Sequence, residues 1–244
     1  PHQGYRRGVG QHPHRGFETV TIVYSGELEH RDSTGAGGII GAGDVQWMTA
    51  GGGIIHEEFH APAFSQAGGV FEVVQLWINL PAKDKMTAAH YQGITAAQIP
   101  TLALPQGAGS LRLIAGDWEG DETGAQAPAQ TYTPMRVWDV RLAAGASADL
   151  PQPEGWNTLL LVLQGQVQIN GSSQTAQSAQ IVTLSAAGEG LRLSNPGDTT
   201  ASILLLSGQP IDEPVFGHGP FVMNSREDIM QAMADFNSGR MGQH

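Results

Sequence analysis

Two short motifs carry side chains able to hold a metal ion: His12-Pro13-His14 and, further along, His56-Glu57-Glu58. Each places two candidate ligands at i and i+2. In a β-strand such residues share a face, because successive side chains alternate across the pleat. Three imidazoles and the Glu58 carboxylate can then converge on one ion. Imidazole nitrogen with carboxylate oxygen suits Fe, Mn, Ni, Cu or Zn. Four protein ligands on a six-coordinate ion leave two positions for water, dioxygen or a chelating substrate. The chain has no cysteine, which excludes disulfides and thiolate sites and disfavours a closed structural zinc site. A lone His-x-His is more often accidental than functional, and a lone His-x-Glu is weaker still. The pair, on glycine-bounded strands, is the leading candidate.

Other residues could join this chemistry. Glu18 lies four residues after His14, the same face in a regular strand. It reads as a ligand, a partner to a ligand histidine, or a general base, against the plainer reading of a buried carboxylate paired with Arg15 or Arg31. Glu57 points away from His56 and Glu58. His30 sits on a polar hairpin strand and reads as solvated. His60 would share the metal face if its strand continued, but Pro62 marks an ending. His2, His90, His218 and His244 have no partner motif. Trp47, Phe59, Phe71 and Trp77 read as core, with one of them available to line a pocket for a flat aromatic ligand. The glycine-dense stretch 35–43 is followed by a strand rather than a helix, so it reads as turn glycine and not a phosphate loop.

The elements that must position these residues are strands. Residues 19–24 (TVTIVY), 27–31, 44–49, 54–59 and 70–79 read as short strands separated by turns at 25–26 and 51–53, the pattern of a small sandwich or barrel. Residues 83–105 read as a connection with a short helix at most, and 110–115 as a strand. Residues 120–133 are poor in bulky apolar side chains and read as a linker. Strands follow at 135–142, 158–163, 166–170, 180–184, 191–194 and 201–206. Residues 225–236 read as a helix with Ser225 as its cap, Glu227 and Asp228 in its first turn, Ile229, Met230, Met233 and Phe236 as its apolar face, and Gly239 after its end. Asn170-Gly171-Ser172 matches a glycosylation sequon and reads as a turn. The expected domains are 1–119, the metal-binding one, and 134–244, joined by 120–133.

The halves look like repeats. Ile22 to Glu29 resembles Leu161 to Gln168 (Gly26 to Gly165, an offset of 139), and Gly51–Gly53 matches Gly188–Gly190 at an offset of 137. So long a period means domain duplication. Under these offsets His12 and His14 map to Pro151 and Pro153, His56 to Leu193 and Glu58 to Asn195. None of the four has a ligand counterpart, which favours function over fold support in the first copy.

Composition bounds the remaining choices. The 244 residues carry a net charge of −11, with Lys83 and Lys85 the only lysines. So acidic a chain disfavours direct binding to nucleic acid or an anionic membrane. Forty per cent of the residues are apolar, yet no apolar run reaches the ~18 residues of a membrane span. No leader is visible, although the chain begins at Pro1 without Met. A cytoplasmic location is the expectation.

Taken together, the motifs resemble the pirin family of the cupin superfamily. The resemblance is carried by residues 12–20 (HPHRGFETV) running on to 26–33, by 43–49 (GDVQWMT) with 53–58 (GIIHEE), by 75–81 (QLWINLP) with Lys85-Met86, and by 219–224 (GPFVMN) with Glu227 onward. It covers nearly the whole chain. It implies an all-β bicupin: two facing cupin-type jelly-roll or barrel domains with a C-terminal helix and one metal in the N-terminal domain. The ligands it implies are His12, His14, His56 and Glu58. Many other cupins use a glutamate after the His-x-His, here Glu18; the pirin pattern favours Glu58 and leaves Glu18 behind it. Pirins carry several dozen residues before the His-Pro-His where this chain has eleven, so a missing amino-terminal segment is expected. The implied ion is Fe(II) first, with Mn, Ni, Cu or Zn as alternatives. Three functions stand as alternatives, the first two implied by the resemblance. One is a quercetin 2,3-dioxygenase-type oxidoreductase acting on a flavonol, with Glu58 or Glu18 taking the proton. The second is a redox or metal-sensing regulator that acts on a transcription factor or metabolic enzyme as protein partner. The third is an inert metal-stabilised fold.

Overall fold

A computed structural model of the chain describes residues 6–120 and 123–242. The chain forms two compact units, Pro1–Ala96 with Asp212–His244, and Ala97–Ile211. Both are built of antiparallel sheets, as period-2 segments between glycine turns require.

The strands of the first unit are β1 (Gly8–His14), β2 (Phe17–Ser25), β3 (Leu28–Asp32), β4 (Gly37–Ile40), β5 (Val45–Thr49), β6 (Ile54–His60), β7 (Glu72–Asn79) and β8 (His90–Ile94). A short helix, α1 (Pro62–Ala67), follows β6. One sheet runs β1-β6-β3-β4 and the other β7-β2-β5-β8. Pro13 lies on β1, an edge strand, where its missing N–H costs no ladder bond. Between β1 and β2 the chain turns through Gly16 (φ +87°), where a Cβ would lie 2.1 Å from the Val222 carbonyl oxygen. Only glycine takes that backbone at that distance.

The second unit contains β9 (Thr101–Ala103), β10 (Gly109–Ala115), β11 (Met135–Leu142), β12 (Ser147–Asp149), β13 (Asn157–Gln164), β14 (Gln166–Ile169), β15 (Thr175–Gln177), β16 (Ile181–Thr183), β17 (Arg192–Ser194) and β18 (Ala201–Gly208). Its sheets run β16-β13-β18-β11-β10-β9 and β12-β17-β14-β15. A wholly buried apolar cluster lies in this unit, including Leu113, Trp138, Leu150, Leu160, Val167, Leu193 and Leu205. The chain then returns to the first unit through a hairpin, β19 (Phe216–His218) with β20 (Phe221–Met223), and ends in α2 (Arg226–Asn237).

Several expectations change. The units do not divide at 119 and 134. Residues 110–115 pair with β11, so they belong to the second unit; of the expected linker 120–133, residues 123–133 lie inside that unit rather than between units, and 121–122 lie outside the described residues. The last 33 residues, Asp212 to His244, belong to the first unit. The supposed connection 83–105 holds two strands, β8 and β9. In β8 polar and small residues (Tyr91-Gln92-Gly93) hide the β pattern, which is fixed by pairing with β5, and β9 is fixed by pairing with β10. Ser225 does cap α2, its hydroxyl accepting from the Asp228 N–H. The apolar face is corrected: Ile229 and Ala232 are buried, whereas Met230, Met233 and Phe236 are exposed. No helix among the described residues is long and apolar enough to cross a membrane.

Candidate metal centre

β6 is flanked by β1 and β3, and register does the positioning. His12 stands opposite His56, and His14 opposite Ile54. On the other side, Asp32 stands opposite His56 and His30 opposite Glu58. Residues directly opposite in an antiparallel pair share a face. Three strands therefore bring His12, His14, His56, Glu58, His30 and Asp32 to one side of one sheet.

The candidate donor atoms form two overlapping groups, His12–His14–His56 and His30–His56–Glu58, with all donors in each group within 4.8 Å of one another. The rings of His12 and His56 are 4.2 Å apart, and each is 4.8 Å from that of His14. His12 Nδ1 is 2.8 Å from the Gly10 carbonyl, which can only accept, so the proton sits on Nδ1 and Nε2 is left as a lone pair. His56 Nε2, although buried, has no hydrogen-bond partner among the described residues. An orphaned imidazole nitrogen beside two further imidazoles offers a lone pair that a bound cation would satisfy.

Burial keeps the His14 and His56 rings neutral, the form that binds metal. The His14 pKa falls to about 4, chiefly through burial and then through His12. That of His56 falls to about 2, again through burial first, then His14, His12 and His30. The Glu58 carboxylate is held by the Gln75 side chain, whose Nε2 donates to Oε2 at 3.0 Å and lies 3.3 Å from Oε1. Gln75 reaches it from the second sheet, where it pairs with Thr21.

Glu18 is not brought to this group. The same-face rule fails because the chain turns at Gly16 and changes sheets. In β2 it is Phe17 and Thr21 that face the centre: Phe17 lies 5.1 Å from the His14 ring, and Thr21 meets Gln75. Glu18, one residue out of phase, faces the other way. There its Oε1 accepts from the Thr49 hydroxyl at 2.7 Å, and burial raises its pKa against the lowering effect of Thr49 and Trp47.

The reading of His30 as solvated is corrected: it is fully buried, stacked on Tyr91 with ring centres 5.1 Å apart. Its polar neighbours on β3 concealed it, and alternation along β3 with its position opposite Glu58 was the available signal. Trp47 is core, while Trp77 is 51% exposed with its ring 5.5 Å from His14. His60 does continue β6, packing on Phe64 and Phe71.

The second unit answers the duplication test in three dimensions. β12 pairs with β17 as β1 pairs with β6. With Leu193 standing for His56, the residue opposite is Ala148 rather than Pro151, and Leu150 takes the place of His14. Ala148, Leu150 and Leu193 are buried in the apolar cluster. At the position of Glu58, the Asn195 amide donates to the carbonyls of Leu142, Ala143 and Thr199. The histidine positions of one copy are hydrocarbon in the other, and the glutamate position is an amide bonded to backbone carbonyls.

Comparison with known proteins agrees with these ladders. The family pattern described as "Pirin" matches residues 2–78, and "Pirin C-terminal cupin domain" matches residues 137–242. A relative from Pseudomonas aeruginosa, named "Putative quercetin 2,3-dioxygenase PA2418", is 52% identical over 96% of this chain and 79% of its own length. The chain belongs to the pirin family. A mouse pirin is 36% identical over 96% of the chain and 78% of its own length. The crystal structure of a quercetin 2,3-dioxygenase from Acinetobacter baumannii superposes with a TM-score of 0.90 at 48% identity, covering 98% of this pirin and 80% of that chain. A nickel(II) complex of a bacterial pirin from Escherichia coli, at 22% identity and a TM-score of 0.64, shares the fold. The all-β bicupin architecture with its C-terminal helix is thus the pirin one.

Proposed function

We propose that this pirin is a metal-dependent dioxygenase of the quercetin 2,3-dioxygenase type, with His12, His14, His56 and Glu58 as ligands and Fe(II) as the ion. The observation that carries the metal site is the buried His56 Nε2, without a partner among the described residues, on a ring grouped with two further imidazoles. The relatives named for quercetin dioxygenation support the reaction class. A transition metal held there would supply Lewis-acidic, redox-active chemistry for a flavonol. The protein contributes the rest. Trp77, half-exposed beside His14 and 4.5 Å from Phe17, offers an aromatic surface for the flat substrate rings. On this reading Glu58, held by Gln75, takes the flavonol hydroxyl proton. Glu18, out of reach on the other face of its sheet, has no part in that transfer.

The test is anaerobic loading with Fe(II), followed by oxygen uptake with quercetin, beside a His14→Ala control. Quercetin-dependent uptake that the control lacks is the expected result. A loaded protein that consumes no oxygen would sink the dioxygenase reading and favour a regulator acting through protein partners. A protein that takes up no stoichiometric metal would remove the centre itself.

A further inference from the structure

Behind His56 lies a second line of buried polar groups. His30 Nε2 is 3.0 Å from Asp32 Oδ2. His30 Nδ1 is 3.3 Å from His56 Nδ1 and 3.0 Å from the Gln46 side-chain nitrogen. The other Asp32 oxygen, Oδ1, accepts from the Thr34 N–H at 2.8 Å and the Thr34 hydroxyl at 2.6 Å. Tyr91 stacks on the His30 ring and fixes its plane.

We propose that Asp32 and His30 are positioning residues that set the ring tautomer of His56 and keep its Nε2 lone pair turned toward His12 and His14. This rests on the reading of His56 as a metal ligand. Donor–acceptor complementarity fixes the protons. The Asp32 carboxylate only accepts, so His30 carries its proton on Nε2. The Gln46 side-chain nitrogen only donates, so His30 Nδ1 is an acceptor, its one lone pair shared between the Gln46 amide and the His56 Nδ1–H. His56, protonated on Nδ1, has its lone pair on Nε2, the buried nitrogen that finds no partner among the described residues. A carboxylate behind a ligand histidine is a recurrent way to orient the ring and raise its basicity. Here an additional imidazole extends the line by one residue.

The second unit supports the assignment. β14 pairs with β17 as β3 pairs with β6, and Gln168 opposite Ser194 stands where Arg31 is opposite Glu57. On that register His30 corresponds to Val167 and Asp32 to Ile169. Val167 belongs to the apolar cluster and Ile169 packs against it. The copy without ligand histidines therefore also lacks the groups behind them, as expected if the two sets work together.

Asp32→Asn is the discriminating variant, because it preserves shape and reverses one donor. Thr34 retains the Oδ1 side, so the new amide N–H₂ faces His30 Nε2 and forces it to accept. The His30 proton moves to Nδ1, that nitrogen donates to His56 Nδ1, and the His56 proton moves to Nε2, which blocks the ligand atom. Long-range ¹H–¹⁵N NMR of metal-free, ¹⁵N-histidine-labelled protein at pH 8 reads this directly. Wild-type His56 is expected as the Nδ1–H form and the Asp32→Asn protein as the Nε2–H form, with similar melting temperatures. Ni(II) affinity, measured by competition with a chelator, is expected to fall by about 10- to 100-fold. An unchanged His56 tautomer in Asp32→Asn overturns the proposal. So does a wild-type His56 protonated on Nε2, a result that decides the matter even if the variant does not fold. Wild-type protein that binds no Ni(II) yet shows the tautomer switch supports the relay and removes the metal reading.

Discussion

At the residue scale, the centre depends on groups that orient other groups. Gln75 is one: it sits on the neighbouring sheet and holds Glu58 by both oxygens. Gln75→Leu keeps the volume near constant and leaves the carboxylate free to rotate. The expected outcome is metal affinity about 10-fold weaker, at the low end for loss of an outer partner, with Ni(II) titration as the measurement. Trp77 belongs to the substrate side rather than the ligands. Trp77→Ala is expected to raise the KM for quercetin about 10-fold while bound metal stays stoichiometric, which steady-state oxygen uptake and metal analysis check together. The four ligand candidates were legible from two i, i+2 spacings. His30 was not, because Glu29, Arg31 and Asp32 around it mimic a solvated strand.

At the element scale, the segment bearing His12 and His14 is fastened at its far end. Lys85 is 2% exposed, and its Nζ donates to the Gly16 carbonyl (2.8 Å), the Asn79 side chain (2.7 Å) and the Val222 carbonyl (2.8 Å). It thus joins the turn after β1, the end of β7 and β20. Lys85→Met leaves three acceptors without that donor and is expected to cost about 3 kcal/mol in urea unfolding. Arg15 supplies a second fastening. It donates to the Gly52 carbonyl at 2.7 Å and to Asp235 on α2 at 2.8 Å. Asp235 is pulled down to about 2 by Arg15 first and then Arg240. A folded-state pKa below the unfolded 3.8 stabilises fully above about pH 4, and the contribution fades as pH falls toward 2. The stability gap between wild type and Asp235→Asn, about 1 kcal/mol after solvent screening, is therefore expected to be constant from pH 7 to 5. It should close between pH 4 and 2, as urea midpoints will show. The sequence marked α2 and its cap. It did not mark β8, β9 or the β19–β20 hairpin, whose short polar or mixed segments become strands through their partners.

At the scale of the whole molecule, one fold occurs twice with different interiors. The first unit lines its strands with imidazole and carboxylate, and the second fills the matching positions with Ala, Leu, Val and Ile and one backbone-bonded amide, Asn195. Ni(II) is accordingly expected to slow amide hydrogen exchange in β1, β3 and β6 and to leave β11, β13 and β18 unchanged, read by mass spectrometry. Equal slowing in both units would contradict a single centre in the first. Sequence alone determined the strand-rich character, the duplication and the ligand spacing, because these are local: alternation, glycine turns and i, i+2 pairs act within a few residues. Tertiary structure decided what depends on distant partners. Ladder register turned Glu18 away and His30 inward, placed Ala148 and Leu150 opposite the ligand positions, and returned the last segment to the first unit. A strand's own sequence fixes which side chains share a face, but only its neighbours determine which face is inside.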